Sequence, residues 1–209
     1  MGMIGRVIGV DPGNAVTGFG VIEGSVAHPA HIAAGTIRPA ATMRGGERLK
    51  AIHDRLLEII DQYAPAAMSL ERSFVAANVQ SAFRLGEARA MAMLAAAARG
   101  LVLFEYTPNQ VKMTVAGHGH ADKAQVKFMV RRALGVGEEV ELADDASDAL
   151  AIALCHLFCA RITAAAAAAG VEQKSGSRSI NRAHAAARDE VKSEIPFAFL
   201  RDGRSGGRP

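Results

Sequence analysis

No apolar run in this 209-residue sequence approaches the roughly 18–20 residues that a membrane-spanning helix requires. No secretory signal is recognisable at the N-terminus, where a strand-like run begins at once. Gly2 is followed by Arg6 where a myristoylation signal wants Ser or Thr, which argues against a lipid anchor. Cysteine is scarce: Cys155 and Cys159 lie one helical turn apart in an apolar stretch. That excludes a disulfide framework and predicts buried free thiols rather than a metal pair completed by His156. A cytoplasmic protein without membrane attachment is expected. A phosphate-cradling GxxxxGKS or GxxxxGKT loop is missing too. The body also lacks a charge surplus of either sign. Residues 1–169 hold 16 Lys+Arg and 16 Asp+Glu, which leaves 8 and 5 of the totals of 24 and 21 for residues 170–209. The net charge of +3 therefore resides in the tail, and the body does not announce nucleic acid by charge alone. If four acids serve metal ions, however, the rest of the body is net basic.

Half of the residues are hydrophobic and the length suits one domain with a full core. Residues 3–10 are apolar and β-branched, and Asp11-Pro12-Gly13 stops that strand. Residues 16–23 (VTGFGVIE) read as a second strand, with Gly18 and Gly20 marking a close approach by a backbone or ligand. A weaker third strand covers 32–37, and the short links predict an antiparallel meander. Residues 44–63 carry Leu49, Ile52, Leu56, Ile59 and Ile60 at helical spacing. Residues 66–70 form a short buried strand ending at Glu71, and 78–99 a long Ala/Met-rich helix stopped by Gly100. A fifth strand spans 101–106. Thr107-Pro108 opens a short helix, GHGH (117–120) is a loop, and 122–134 is a helix closed by Gly135. The last helix runs from 145 to 162, with an alanine run able to extend it to 169. The order β-β-β-α-β-α-β, then helices, predicts an α/β fold: a mixed five-stranded sheet, antiparallel meander plus βα crossovers, with helices on both faces. Beyond residue 170 the composition turns to Ser, Arg, Gly and Ala. Residues 170–209 are expected to be a basic, flexible tail in which only IPFAFL (195–200) could dock.

The acids carry the chemistry. Asp11 and Glu71 end the first and fourth strands, at the carboxyl edge where α/β sheets bind ligands. In LADDASDALAIAL (142–154), Asp145 and Asp148 are i, i+3 and Asp144 and Asp148 are i, i+4, so spacing alone admits either pair on one helix face. An aspartate at a helix start is ordinarily a cap, and one before Pro-Gly ordinarily a turn residue. Four carboxylates converging on one point, with no His or Cys nearby in sequence, instead make a hard-oxygen site. It suits two Mg²⁺ ions, with Mn²⁺ as a substitute, and metal-assisted phosphoryl hydrolysis.

Five stretches, IGVDPGNAVTGFGVIE, SLERSF, NVQSAFRLGEARA, EYTPNQVKMTVAGHGHADKAQV and DDASDALAIAL, jointly resemble the RuvC family in order and spacing over residues 4–162. These are bacterial Holliday junction resolvases with an RNase H-like fold. The resemblance implies that Asp11, Glu71, Asp145 and Asp148 are the metal-binding acids, choosing Asp145 over Asp144. It implies that Lys112 and Lys123 meet the DNA and that Phe74 probes the junction, where it could stack on an unpaired base. The helix at 78–99 would pair two copies. The enzyme so implied is a homodimeric crossover junction endodeoxyribonuclease. It nicks a four-way junction symmetrically, leaves 5′-phosphate and 3′-hydroxyl ends, and works with the branch-migration proteins RuvA and RuvB. Residues 1–169 would be the nuclease domain. Gly18 and Gly20 would then admit a phosphate backbone, while His118 and His120, more histidine than the pattern wants, are expected to lie in a plain flexible loop. The rivals are an actin-like ATPase, which normally needs two such domains, and a junction-binding protein without chemistry, which would not need all four acids.

Overall fold

The structure, a computed structural model, describes residues 4–72 and 79–168. Phe74 and the tail at 170–209, IPFAFL included, lie outside the described residues. Two compact units are distinguished, Met1–Phe158 and Cys159–Pro209. The sheet and the candidate site belong to the first; of the second, only the helical residues 159–168 are described.

Three strands, β1 (Ile4–Asp11), β2 (Thr17–Gly24) and β3 (Pro29–Ile37), form the expected meander. Helix α1 (Gly46–Tyr63) leads to β4 (Ala67–Glu71), and α2 (Val79–Ala98) leads to β5 (Val102–Tyr106). Then follow α3 (Pro108–Ala116), α4 (Lys123–Leu134) and α5 (Asp144–Ala168). The sheet order is β3-β2-β1-β4-β5. β1 pairs antiparallel with β2 and parallel with β4, and β5 pairs parallel with β4. The third strand is longer than 32–37 because Pro29 pairs with Gly24 at the end of an edge strand, where the missing N–H costs no ladder bond. The final helix continues through its alanines, the best helix formers.

Side-chain alternation divides the sheet. Ile8, Val10, Val21, Met68 and Leu70 are buried in one cluster with Ile52, Leu56, Ile59 and Ile60 of α1 and Ala88, Ala92, Ala95 and Ala96 of α2. Both helices bury residues at i, i+4, i+7 and i+8, a single stripe, and the alanines let α2 lie close. Val7, Gly9 and Asp11 face the other way, where α5 lies. Helices thus cover both faces, as the alternation of elements implies. Cys155 and Cys159 are buried, as expected of thiols in an apolar helix.

Local caps fix the elements nearest the site. Thr107 with Gln110 and Asp122 with Gln125 each form a reciprocal capping box, starting α3 and α4 at defined residues. The second box makes Lys123 the first residue of α4.

Candidate active site

Two acids come from adjacent parallel strands. The last paired positions of β1 and β4 are Val10 and Leu70, so Asp11 and Glu71 stand one step beyond, about 4.8 Å apart in the sheet direction. Asp11 is also paired with Gly18 on β2, and Glu71 with Tyr106 on β5. The edge row therefore reads Gly18, Asp11, Glu71, Tyr106.

Helix α5 brings the other two. Its approach is set by missing side chains. A Cβ on Gly18 would lie 1.9 Å from the Asp145 carbonyl oxygen, and one on Gly9 would lie 2.1 Å from that of Ala149. One on Gly20 would come within 2.7 Å of the Leu150 side chain. In the neighbouring position on β4 stands Ser69, whose hydroxyl is 3.4 Å from the carbonyls of Ile8 and Ile152. α5 thus rests main chain on main chain, and its first turn lies over the Asp11–Gly18 pair. The space at Gly18 and Gly20 belongs to α5. The expectation that a phosphate backbone uses it is corrected: two short residues facing one way made room for a helix of the same chain.

The charges show which acids meet. Burial pushes the Asp11 carboxyl up to about 7, helped by Asp148, Glu71 and Asp145, with Lys123 opposing. Glu71 is also raised, by burial first and Asp148 next, against Lys123 and Lys112. Lys123 Nζ donates to Asp148 Oδ2 at 3.0 Å, which holds the lysine above its ordinary range. Asp144 behaves differently. It is exposed and accepts from Lys127 Nζ at 2.7 Å, which lowers its pKa. Among the described residues, no three His, Cys, Asp or Glu side chains stand close enough to hold a metal ion as they are. The four acids share an edge and feel one another's charge without being drawn into a cage. Their chemistry nonetheless fits hard divalent cations: oxygen donors only, in a partly buried place where mutual repulsion needs a counter-charge. His118 and His120 are exposed in the α3–α4 loop.

Two features escaped the sequence reading. His156 of α5 is buried, its ring is 4.2 Å from that of Phe104, and its Nδ1 is 2.8 Å from the Tyr106 hydroxyl. Burial lowers its pKa from 6.5 to about 4, so a neutral ring is hydrogen-bonded beside the edge row. Arg89 of α2 donates from Nη1 to the Glu71 carbonyl at 2.5 Å and forms an ion pair with Glu105. The sequence offers no signal that sets Arg89 apart from Arg84 on the same helix.

The family model described as crossover junction endodeoxyribonuclease RuvC matches residues 7–156, which include every site residue named above. A RuvC from Hydrogenovibrio crunogenus is 46% identical over 156 residues, covering 75% of this chain and 89% of that one. One from Alkalilimnicola ehrlichii is 44% identical over 165 residues, covering 79% and 98%. Among solved structures, T. thermophilus RuvC in complex with a Holliday junction substrate superposes with a TM-score of 0.72 at 34% identity, covering 76% of this chain and 96% of that one. The yeast mitochondrial Holliday junction resolvase shares the fold, with a TM-score of 0.56 at 14% identity over 74% and 79% of the two chains.

Proposed function

Because the chain belongs to the RuvC family of crossover junction endodeoxyribonucleases, we propose that its carboxyl-edge acids make it a Mg²⁺-dependent resolvase of four-way DNA junctions. The protein is a metal-dependent nuclease of the RNase H-like fold that resolves Holliday junctions. Asp11, Glu71, Asp145 and Asp148 would hold two Mg²⁺ ions, with Mn²⁺ able to replace them. When bound, such a pair activates the attacking water and takes up charge on the leaving oxygen. Lys123, already on Asp148, and Lys112, felt at Glu71, would move to phosphate oxygens as DNA arrives. Phe74, three residues after Glu71, would stack on a base at the crossover.

A junction presents two equivalent strands, and a two-fold dimer would meet them with paired sites. The exposed Val79, Phe83, Met93 and Leu94 of α2 support that helix as the pairing surface. The branch-migration proteins RuvA and RuvB are the further partners that family membership suggests. Residues 1–169 would form the nuclease domain and 170–209 a basic tail. Among the described residues no helix is long and apolar enough to cross a membrane. The ATPase and the non-catalytic binder are not favoured, since the family match spans all four acids.

One observation carries the assignment of residues: three other acids, together with burial, act on Asp11. Asp11→Asn tests it on a labelled four-way junction with and without Mg²⁺. Junction binding is expected to survive and cutting to stop. Cutting at the normal rate would remove Asp11 from the metal site.

A further inference from the structure

We propose that Arg89 is a positioning residue for junction cleavage, a guanidinium clamp that holds the main chain at Glu71 from the opposite side of the sheet. The inference rests on Glu71 being one of the metal-binding acids.

Glu71 is the last residue of β4, so its carboxylate is placed by a strand end rather than by a strand interior. One bond beyond it continues the ladder, from the Arg72 N–H to the Tyr106 carbonyl at 2.6 Å. The Glu71 carbonyl itself accepts from Arg89 Nη1, a charge-assisted bond of the stronger kind. Arg89 cannot swing freely, because its guanidinium also meets Glu105, and Glu105 in turn meets Arg72 Nη2 at 3.4 Å. Glu105 lies on β5 between Phe104 and Tyr106, whose rings meet His156, so by alternation Glu105 faces α2. The clamp therefore spans the ends of two neighbouring strands. Arg89 and Glu105 are mostly withdrawn from water, at 19% and 27% side-chain exposure.

A buried ion pair is weak grounds for a stability role, since desolvation offsets much of the attraction. Its placement is what distinguishes this one. It acts on the main chain of a site acid, and it needs a planar fork that can reach a carbonyl and a carboxylate together. Lysine carries its donors on a single nitrogen rather than on a planar fork, and so reaches the two acceptors less well. Misplacing a reacting group by about 1 Å can cost roughly a hundredfold in rate, while binding surfaces elsewhere are untouched.

The test uses the full chain with Arg89→Lys, Glu105→Gln and the double variant. Each is measured by thermal melt, junction affinity, single-turnover cleavage across a Mg²⁺ series, and Mn²⁺ binding followed by electron paramagnetic resonance. Arg89→Lys is expected to keep its melting temperature within a few degrees and its junction Kd within about twofold. Its cleavage is expected to fall about tenfold or more. Its half-saturating Mg²⁺ should rise and its Mn²⁺ binding weaken, and the double variant should be no worse than the poorer single one. Glu105→Gln gives the same reading should Arg89→Lys fail to fold. Wild-type cleavage and metal demand in the single variants would overturn the proposal, as would losses that follow junction affinity or melting temperature alone. An Asp11→Asn control that still cuts would sink the metal assignment itself. A dead control beside fully active Arg89 variants would sink only the clamp.

Discussion

Asp144 and Asp145 are sequence neighbours with opposite surroundings. Asp144 is held outward by Lys127, whereas Asp145 adds its charge to that acting on Asp11. Asp144→Asn is therefore expected to leave single-turnover junction cleavage within about twofold of wild type, because an exposed ion pair contributes little. Asp145→Asn should lower it by roughly a hundredfold or more, the scale on which groups acting in the transition state are lost. Equal losses in the two variants would show that the surroundings of the two residues do not separate their roles. Both i, i+3 and i, i+4 share a helix face, so helical periodicity could not decide between these residues. The lysine that separates them stands at position 127, on another helix, and no local pattern points to it.

At the scale of elements, the spacing between strand acids and helix acids is set by the glycines under α5. Gly18→Ala drives a methyl into the Asp145 carbonyl, which has no rotamer through which to escape. The variant should lose about 1–3 kcal/mol of stability, as overpacked sites do, measured by urea denaturation. Its cleavage should fall roughly tenfold or more while junction binding persists. Gly20→Ala meets the buried Leu150 side chain at 2.7 Å and its main-chain nitrogen at 2.9 Å, a lesser overlap than the 1.9 Å at Gly18, and should cost stability in the same direction but less. Wild-type activity in Gly18→Ala would show that the first turn of α5 is free to shift. The elements themselves were legible in the sequence. Pro-Gly and single glycines punctuate the strands and helices, and the short links of the meander fixed its antiparallel sense. The glycines were legible only in part. Their spacing announced a close neighbour but not its identity, because α5 comes from more than 120 residues further along the chain. Arg89 was not legible, since an arginine in a helix usually marks a solvated face.

For the whole molecule, acidity is the telling variable. His156 is neutral and buried in the fold with a pKa near 4, against 6.5 when free. Between those values the unfolded chain binds a proton that the folded chain does not. Stability from this group is therefore fully present above about pH 6.5 and drains away as the pH falls toward 4. Asp11 works in the opposite sense. Its raised pKa means that the folded chain takes up the extra proton as the pH falls below about 7. Wild-type stability is thus a sum of opposed slopes, and a comparison with His156→Gln isolates one of them. The advantage of wild type over that variant should shrink between pH 7 and pH 4 in urea titrations. A constant difference would mean that the imidazole takes up its proton as readily in the fold as in the unfolded chain. The acids are also divided along the chain: two belong to the early strands, while Asp145 and Asp148 belong to the last described helix. With the four acids as the proposed metal ligands, a chain from which α5 has locally peeled away would keep only the two strand acids, Asp11 and Glu71. On the proposed assignment, cutting would then need α5 seated on the sheet, so that its two acids stand beside the two of the strands.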